Sequence, residues 1–107
     1  MKLNPNEIFE RYRIAGEAWA NLDGAACLLE ETRKSVRAQI MTTSGETSVS
    51  KAEMYAEADE EYRVHLERMV EARTQANIAR VNYDAIRAWV DLTRSAEASN
   101  RAMATLR

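Results

Sequence analysis

The single histidine, His65, and the single cysteine, Cys27, are the first places in this chain to look for chemistry. A histidine can serve as a general base or metal ligand and a cysteine as a nucleophile, but each needs a partner. His65 has no Cys or second His at metal-ligand spacing and lies on an apolar helical seam, so it reads as a packed histidine. Cys27 stands beside Leu28 and Leu29 with no residue in view to activate a thiolate, and reads as a small packing residue. A lone cysteine also excludes an internal disulfide and fits a reducing cytoplasm. The carboxylate runs Glu30-Glu31 and Asp59-Glu60-Glu61 suggest a di-iron bundle. That chemistry requires Glu-x-x-His motifs on facing helices, and here Glu61 and His65 are four apart with no second histidine. Gly-rich phosphate loops, nucleophile elbows and calcium loops do not occur in the sequence. The expectation is a protein that is not an enzyme, with no cofactor and no metal.

Arginine is the one residue type whose spacing repeats. Arg73, Arg80, Arg87, Arg94 and Arg101 recur every seven residues. On a straight helix they form one slowly drifting row roughly 40 Å long. Such a row could grip phosphates, because a guanidinium binds them bidentately and nucleic-acid binding is driven by counterion release. The preferred reading is the solvated flank of a coiled coil. Asp84, Asp91 and Glu97 lie three or four residues away, and the sequence predicts that they neutralise much of it. Tyr83 and Trp89 fit apolar stripes better than a base-stacking platform.

These residues must be carried by helices. In 107 residues there are only 3 Gly and 1 Pro, and 30% of residues are charged, which leaves too few turns for a sheet protein. Asn4 can cap a first helix with Pro5 at its first position and Glu7 at its third, Leu3 and Ile8 forming a hydrophobic staple. Ser50, Glu53 and the pair Val49 and Met54 repeat that grammar for a second helix. Between them Met41-Thr42-Thr43-Ser44-Gly45-Glu46-Thr47-Ser48 is the Ser/Thr/Gly cluster of the chain. The reading is a single all-α domain over residues 1–107: a helix at about 5–41, a turn at about 42–50 and a longer helix at about 51–105, paired as an antiparallel, coiled-coil-like hairpin.

Helix 1 carries two seam rows. One is Ile8, Ala15, Leu22, Leu29 and Val36, and the other is Tyr12, Trp19, Ala26, Arg33 and Ile40. Helix 2 has a stripe from Tyr55 and Ala58 through Tyr62, His65, Met69, Ala72, Ala76, Ala79, Tyr83, Ile86 and Val90. A second stripe begins later, with Ile78, Ala85, Trp89, Leu92, Ala96, Met103 and Leu106. One partner helix covers only one face. Counted from the turn, residues after about 87 also lie past the start of helix 1, which would leave Trp89, Leu92, Met103 and Leu106 exposed. A break near Asn77 or Asn82, folding a third helix back, is the alternative, but neither Gly nor Pro supports it. A thin hairpin buries little apolar surface against the roughly 1.5 kcal/mol of chain entropy per ordered residue. The expectation is a homo-oligomer, a dimeric four-helix bundle or larger, with Ile78, Val81, Trp89, Leu92, Met103 and Leu106 at its interface and Trp89 as the anchor.

Charge is segregated although the net charge is −2. Residues 51–72 carry three Lys/Arg against seven Asp/Glu, whereas residues 73–107 carry six against three. The acidic group Glu57, Asp59, Glu60 and Glu61 could mimic another polyanion and inhibit a host enzyme. No apolar run is long enough to span a membrane and the start of the chain lacks the apolar stretch of a signal peptide, so a cytoplasmic location is expected.

The stretches Ala76-Asn77-Ile78-Ala79-Arg80-Val81-Asn82-Tyr83-Asp84-Ala85-Ile86-Arg87-Ala88-Trp89 and Arg94-Ser95-Ala96-Glu97-Ala98-Ser99-Asn100-Arg101-Ala102 resemble small all-helical proteins of tailed bacteriophages and prophages. The resemblance covers about the last 35 residues. It implies a phage origin, a location in the host cytoplasm and an accessory role near recombination or DNA replication. Two functions are therefore expected: an oligomeric scaffold or adaptor that binds a protein partner, or a DNA-binding accessory protein using the arginine row from Arg73 to Arg101.

Overall fold

A computed structural model describes residues 4–106. Among them every regular element is a helix: α1 (Pro5–Thr43), α2 (Val49–Ala58) and α3 (Glu60–Thr105). Leu3, half of the first expected staple, lies outside the described residues.

The start of α1 is the expected capping box. The backbone N–H of Glu7 donates to Asn4 Oδ1 at 2.9 Å, and the Asn4 N–H donates back to Glu7 Oε2 at 3.2 Å. Two orphan donors of the first turn are thereby satisfied. At its other end α1 runs to Thr43, two residues past expectation, because hydroxyls satisfy its last carbonyls. Thr42 donates to Gln39 O, Thr43 to Ile40 O and Ser44 to Met41 O, at 2.7–2.8 Å. Gly45 then takes φ +74°, a left-handed value that costs a side chain about 1–2 kcal/mol.

The second half of the chain corrects the expectation of one continuous helix. The break falls at Asp59, not near Asn77 or Asn82, both of which lie inside α3. Asp59 adopts an extended φ/ψ of −75°/137°, and its carboxylate Oδ1 accepts the N–H of Glu61 at 2.8 Å and of Tyr62 at 3.4 Å. With Glu60 and Glu61 in the first turn of α3, this is a capped, dipole-matched helix start. Breaking the helix also shifts its phase. α2 buries Ala52 and Ala56, and the expected Tyr55 and Ala58 are exposed; from Tyr62 onward the predicted stripe is correct. The second helix start is likewise corrected. Ser48 is the N-cap, Ser50 lies inside α2, and Val49 and Met54 are both exposed, so no staple forms there.

Packing divides the chain into two units. The turn unit is Asn21–Ala76, and the terminal unit holds residues up to Ala20 together with those from Asn77 on. In the turn unit α1 runs antiparallel to α2 and the first part of α3. Ile40, Ala56 and Tyr62 form its buried cluster, with Val36, Met41 and Leu66 half-buried around it. In the terminal unit the start of α1 runs antiparallel to the rest of α3, with Ile8, Ala15 and Val90 buried. Cores are small throughout. Among the described residues five of the nine buried apolar ones are alanines, and no large side chain is fully buried.

Candidate association surface

In the terminal unit the contact between α1 and α3 is built on Tyr83. Its hydroxyl lies 2.8 Å from that of Tyr12, and the two rings stack at 5.1 Å. The Trp19 ring is tilted against Tyr83 at 5.2 Å. Gly16 faces the same ring: a Cβ placed there would meet it at 3.4 Å, in ordinary contact, so the glycine marks the approach without being required by it. The hydrogen bond to Tyr12, with partial burial, holds the Tyr83 phenol above its usual pKa. Sequence periodicity had placed all three aromatics on seams, and the structure brings them together.

Seven-residue steps carry this buried face along α3, through Ala76, Tyr83 and Val90. Two positions further on, about 200° around the helix, a second set of steps runs through Ile78, Ala85 and Leu92, all exposed. Val81, Met103 and Leu106 are exposed as well, and Leu92 keeps 70% of its surface. Trp89 departs from expectation. It is half-buried, because it sits on the flank between the two faces. The expected end of intrachain pairing at about 87 is also corrected. Pro5, Ile8 and Phe9 of α1 line one groove with Val90, Thr93, Arg94 and Glu97 of α3. Counting along one straight helix fails once Asp59 breaks it.

The arginine row divides between the units. Arg73, in the turn unit, is consumed: it donates to Asp23 at 2.7 Å, to Glu30 at 2.6 Å and to the Cys27 sulfur at 3.5 Å. These partners push its pKa up, and Arg73 in turn holds the Glu30 carboxyl below its usual range. In the terminal unit Arg94 lies over the Phe9 ring, 5.2 Å from its centroid. Arg80, Arg87 and Arg101 are exposed. Among the described residues no carboxylate comes within ion-pair distance of these four, Asp84, Asp91 and Glu97 included.

The isolated chemical groups each meet a neighbouring helix. His65 Nε2 lies 2.9 Å from the Leu29 carbonyl, as a donor across to α1. Cys27 does have a cationic neighbour, contrary to the sequence reading, but Asp23 and Glu30 share that guanidinium. Of the acidic group, Asp59 caps α3, Glu57 pairs with Arg37 at 3.2 Å and Glu60 pairs with Arg63 at 2.6 Å. Sequence reasoning missed Asp59 as a cap, although an Asp followed by two Glu and a hydrophobic run is a helix-start signature. It also missed Phe9 as the seat of Arg94, for which the sequence carried no signal. No helix among the described residues is long and apolar enough to cross a membrane.

No protein-family model, curated protein or solved structure matches the chain, so its functional reading rests on its own residues.

Proposed function

We propose that this protein is a non-enzymatic helical scaffold or adaptor that assembles with itself and presents a helical surface to a protein partner. One observation carries the reading. Residues from Asn77 on expose Ile78, Val81 and Leu92 on a stretch of α3 whose other face is already covered, and Met103 and Leu106 beyond it, where every residue from Arg94 to Leu106 is exposed. Exposed apolar residues repeating along one helix face mark an association site, whereas single scattered ones do not. Small cores add support, because mass action between copies stabilises a fold that buries little within one copy. In this reading copies of the chain join as a four-helix bundle or larger assembly, and the protein is phage-encoded. Sedimentation equilibrium of the full chain at micromolar concentration tests it: a mass above 12.2 kDa is expected, and a clean monomer overturns it. Because Leu92 is far more exposed than Trp89, Leu92 replaces Trp89 as the anchor.

The arginines of the terminal unit favour a second reading, an accessory protein that binds DNA. Arg80, Arg87 and Arg101 are exposed and lack ion-pair partners among the described residues, which leaves their charge available to phosphates, whereas Arg94 would first have to leave the Phe9 ring. Binding to duplex DNA over a salt series separates the two readings. Steep salt dependence that shallows when Arg80, Arg87 and Arg94 become Gln supports DNA binding, and no binding at low salt removes it.

A further inference from the structure

We infer that the cavity where α1 passes the break between α2 and α3 binds a small phosphate monoester with an apolar body. The inference goes beyond the association reading and does not depend on it.

The cavity lies within the turn unit and has a volume of about 430 Å³, inside the roughly 300–1,000 Å³ of small-molecule sites. It straddles Asp59: Glu57 borders it from the last turn of α2 and Tyr62 from the first turn of α3. Across from them α1 contributes Arg33, Lys34 and Arg37, with Ala38 and Met41 beside them. Steps of three and four residues set these side chains on one side of α1. Arg33 is the one charged residue in two seam rows that are otherwise apolar or aromatic, and it stands at this cavity.

The lining carries three cations against one carboxylate. Arg37 is held by Glu57 at 3.2 Å and lies 3.8 Å from Glu53. Arg33 and Lys34 are exposed and have no ion-pair partner among the described residues. The neighbouring Asp59 and Glu60 are engaged elsewhere, capping α3 and pairing with Arg63. Positive charge is left over at the wall, and a guanidinium beside an ammonium suits a phosphate.

Tyr62 is a second, independent sign. It keeps only 7% of its surface, yet its hydroxyl makes no hydrogen bond among the described residues. No enclosed side-chain polar atom among them lacks a partner, so this hydroxyl reaches open space, and the cavity is the open space that Tyr62 borders. An anion there supplies the missing acceptor. A phosphate monoester offers three oxygens to Arg33, Lys34 and the Tyr62 hydroxyl, where a carboxylate offers two. Ala38, Met41 and the Tyr62 ring meet the apolar body.

Phenyl phosphate titrated into the full chain, followed by amide NMR shifts and calorimetry, tests the inference. Saturable shifts are expected around Arg33–Met41 and Glu57–Tyr62, with one ligand per chain. Arg33→Gln combined with Lys34→Gln is expected to weaken binding at least about tenfold, since two charge-assisted hydrogen bonds are lost. Tyr62→Phe is expected to weaken it about tenfold and to leave the unfolding midpoint unchanged, because the hydroxyl has no partner in the free protein. That pairing separates a ligand contact from a core role. Arg11→Gln, which removes an exposed charge outside the cavity, is expected to leave affinity unchanged. Inorganic phosphate, without the ring, and benzoate, without the phosphate, are each expected to bind more weakly. An absence of saturable shifts, or equal weakening by Arg11→Gln, overturns the site. Benzoate binding as tightly as phenyl phosphate overturns the phosphate, and inorganic phosphate binding as tightly overturns the apolar body. Circular dichroism of each variant shows that helix content is retained.

Discussion

The turn unit and the terminal unit share α1 and α3 but spend their side chains differently. The turn unit holds seven Lys/Arg against eleven Asp/Glu and ties its helices with cross-helix charge, Arg73 to Asp23 and Glu30 and Arg37 to Glu57. The terminal unit holds eight against six, and its helices meet through Tyr12, Trp19 and Tyr83. Ion pairs this exposed contribute little each, and their value here is that they use up groups that would otherwise face outward. The turn unit also exposes apolar residues, such as Leu28 at 62% and Val70 at 61%, but they do not recur along one face. The terminal unit leaves a repeating apolar face, and among the described residues Arg80, Arg87 and Arg101 of its arginine row have neither an ion-pair nor a ring partner. The lesson is that apolar surface left over after intrachain packing recurs along one helix face in the terminal unit, and the proposed association would fall there.

Deleting the core of each unit exposes that contrast most strongly. Tyr62→Ala removes the one buried aromatic residue of the turn unit's cluster and is expected to cost about 3–5 kcal/mol in denaturant unfolding. Asp59→Ala is expected to cost about 1 kcal/mol, and hydrogen exchange should show the loss at the start of α3 and little change at Tyr83. Tyr83→Phe keeps the stack and removes the hydroxyl partner of Tyr12, at an expected cost of about 1 kcal/mol confined to the terminal unit. Gly24→Ala goes the other way. Nothing lies within 4 Å of where its Cβ would stand, so thermal unfolding should show a gain of somewhat under about 1 kcal/mol.

pH gives the finest separation, because the units respond at opposite extremes. Arg73 lowers the Glu30 pKa, so that pair's contribution is present above the ordinary glutamate range and is lost as pH falls through it. Tyr83 is shifted upward, so its contribution is present below the ordinary phenol value of about 10 and is lost as pH rises past it. Amide exchange across a pH series should loosen residues near Glu30 and Arg73 in acid and those near Tyr12 and Tyr83 in alkali. Arg73→Gln should abolish the acid response alone.

Local signals in the sequence were read well where they acted alone. The capping box at Asn4 and Glu7, the glycine turn at Gly45, the aromatic seam and the stripe from Tyr62 to Val90 follow from hydrogen-bond chemistry and helical periodicity, which need no knowledge of distant residues. The break at Asp59 was legible in principle and was passed over because no glycine or proline marks it.

Other features had no local signature. That Arg73 is tied while Arg80 is free depends on whether Asp23 and Glu30 stand across from the side chain, 50 and 43 residues away. Trp89 being half-buried while Leu92 stays exposed depends on where the register of α3 against α1 falls after the break. The sequence by itself determined an all-helical chain with two apolar faces on its last helix and a seven-residue arginine spacing. Only tertiary packing decided which face is covered and which charges remain unpaired, because both depend on what an opposing helix brings to the same level.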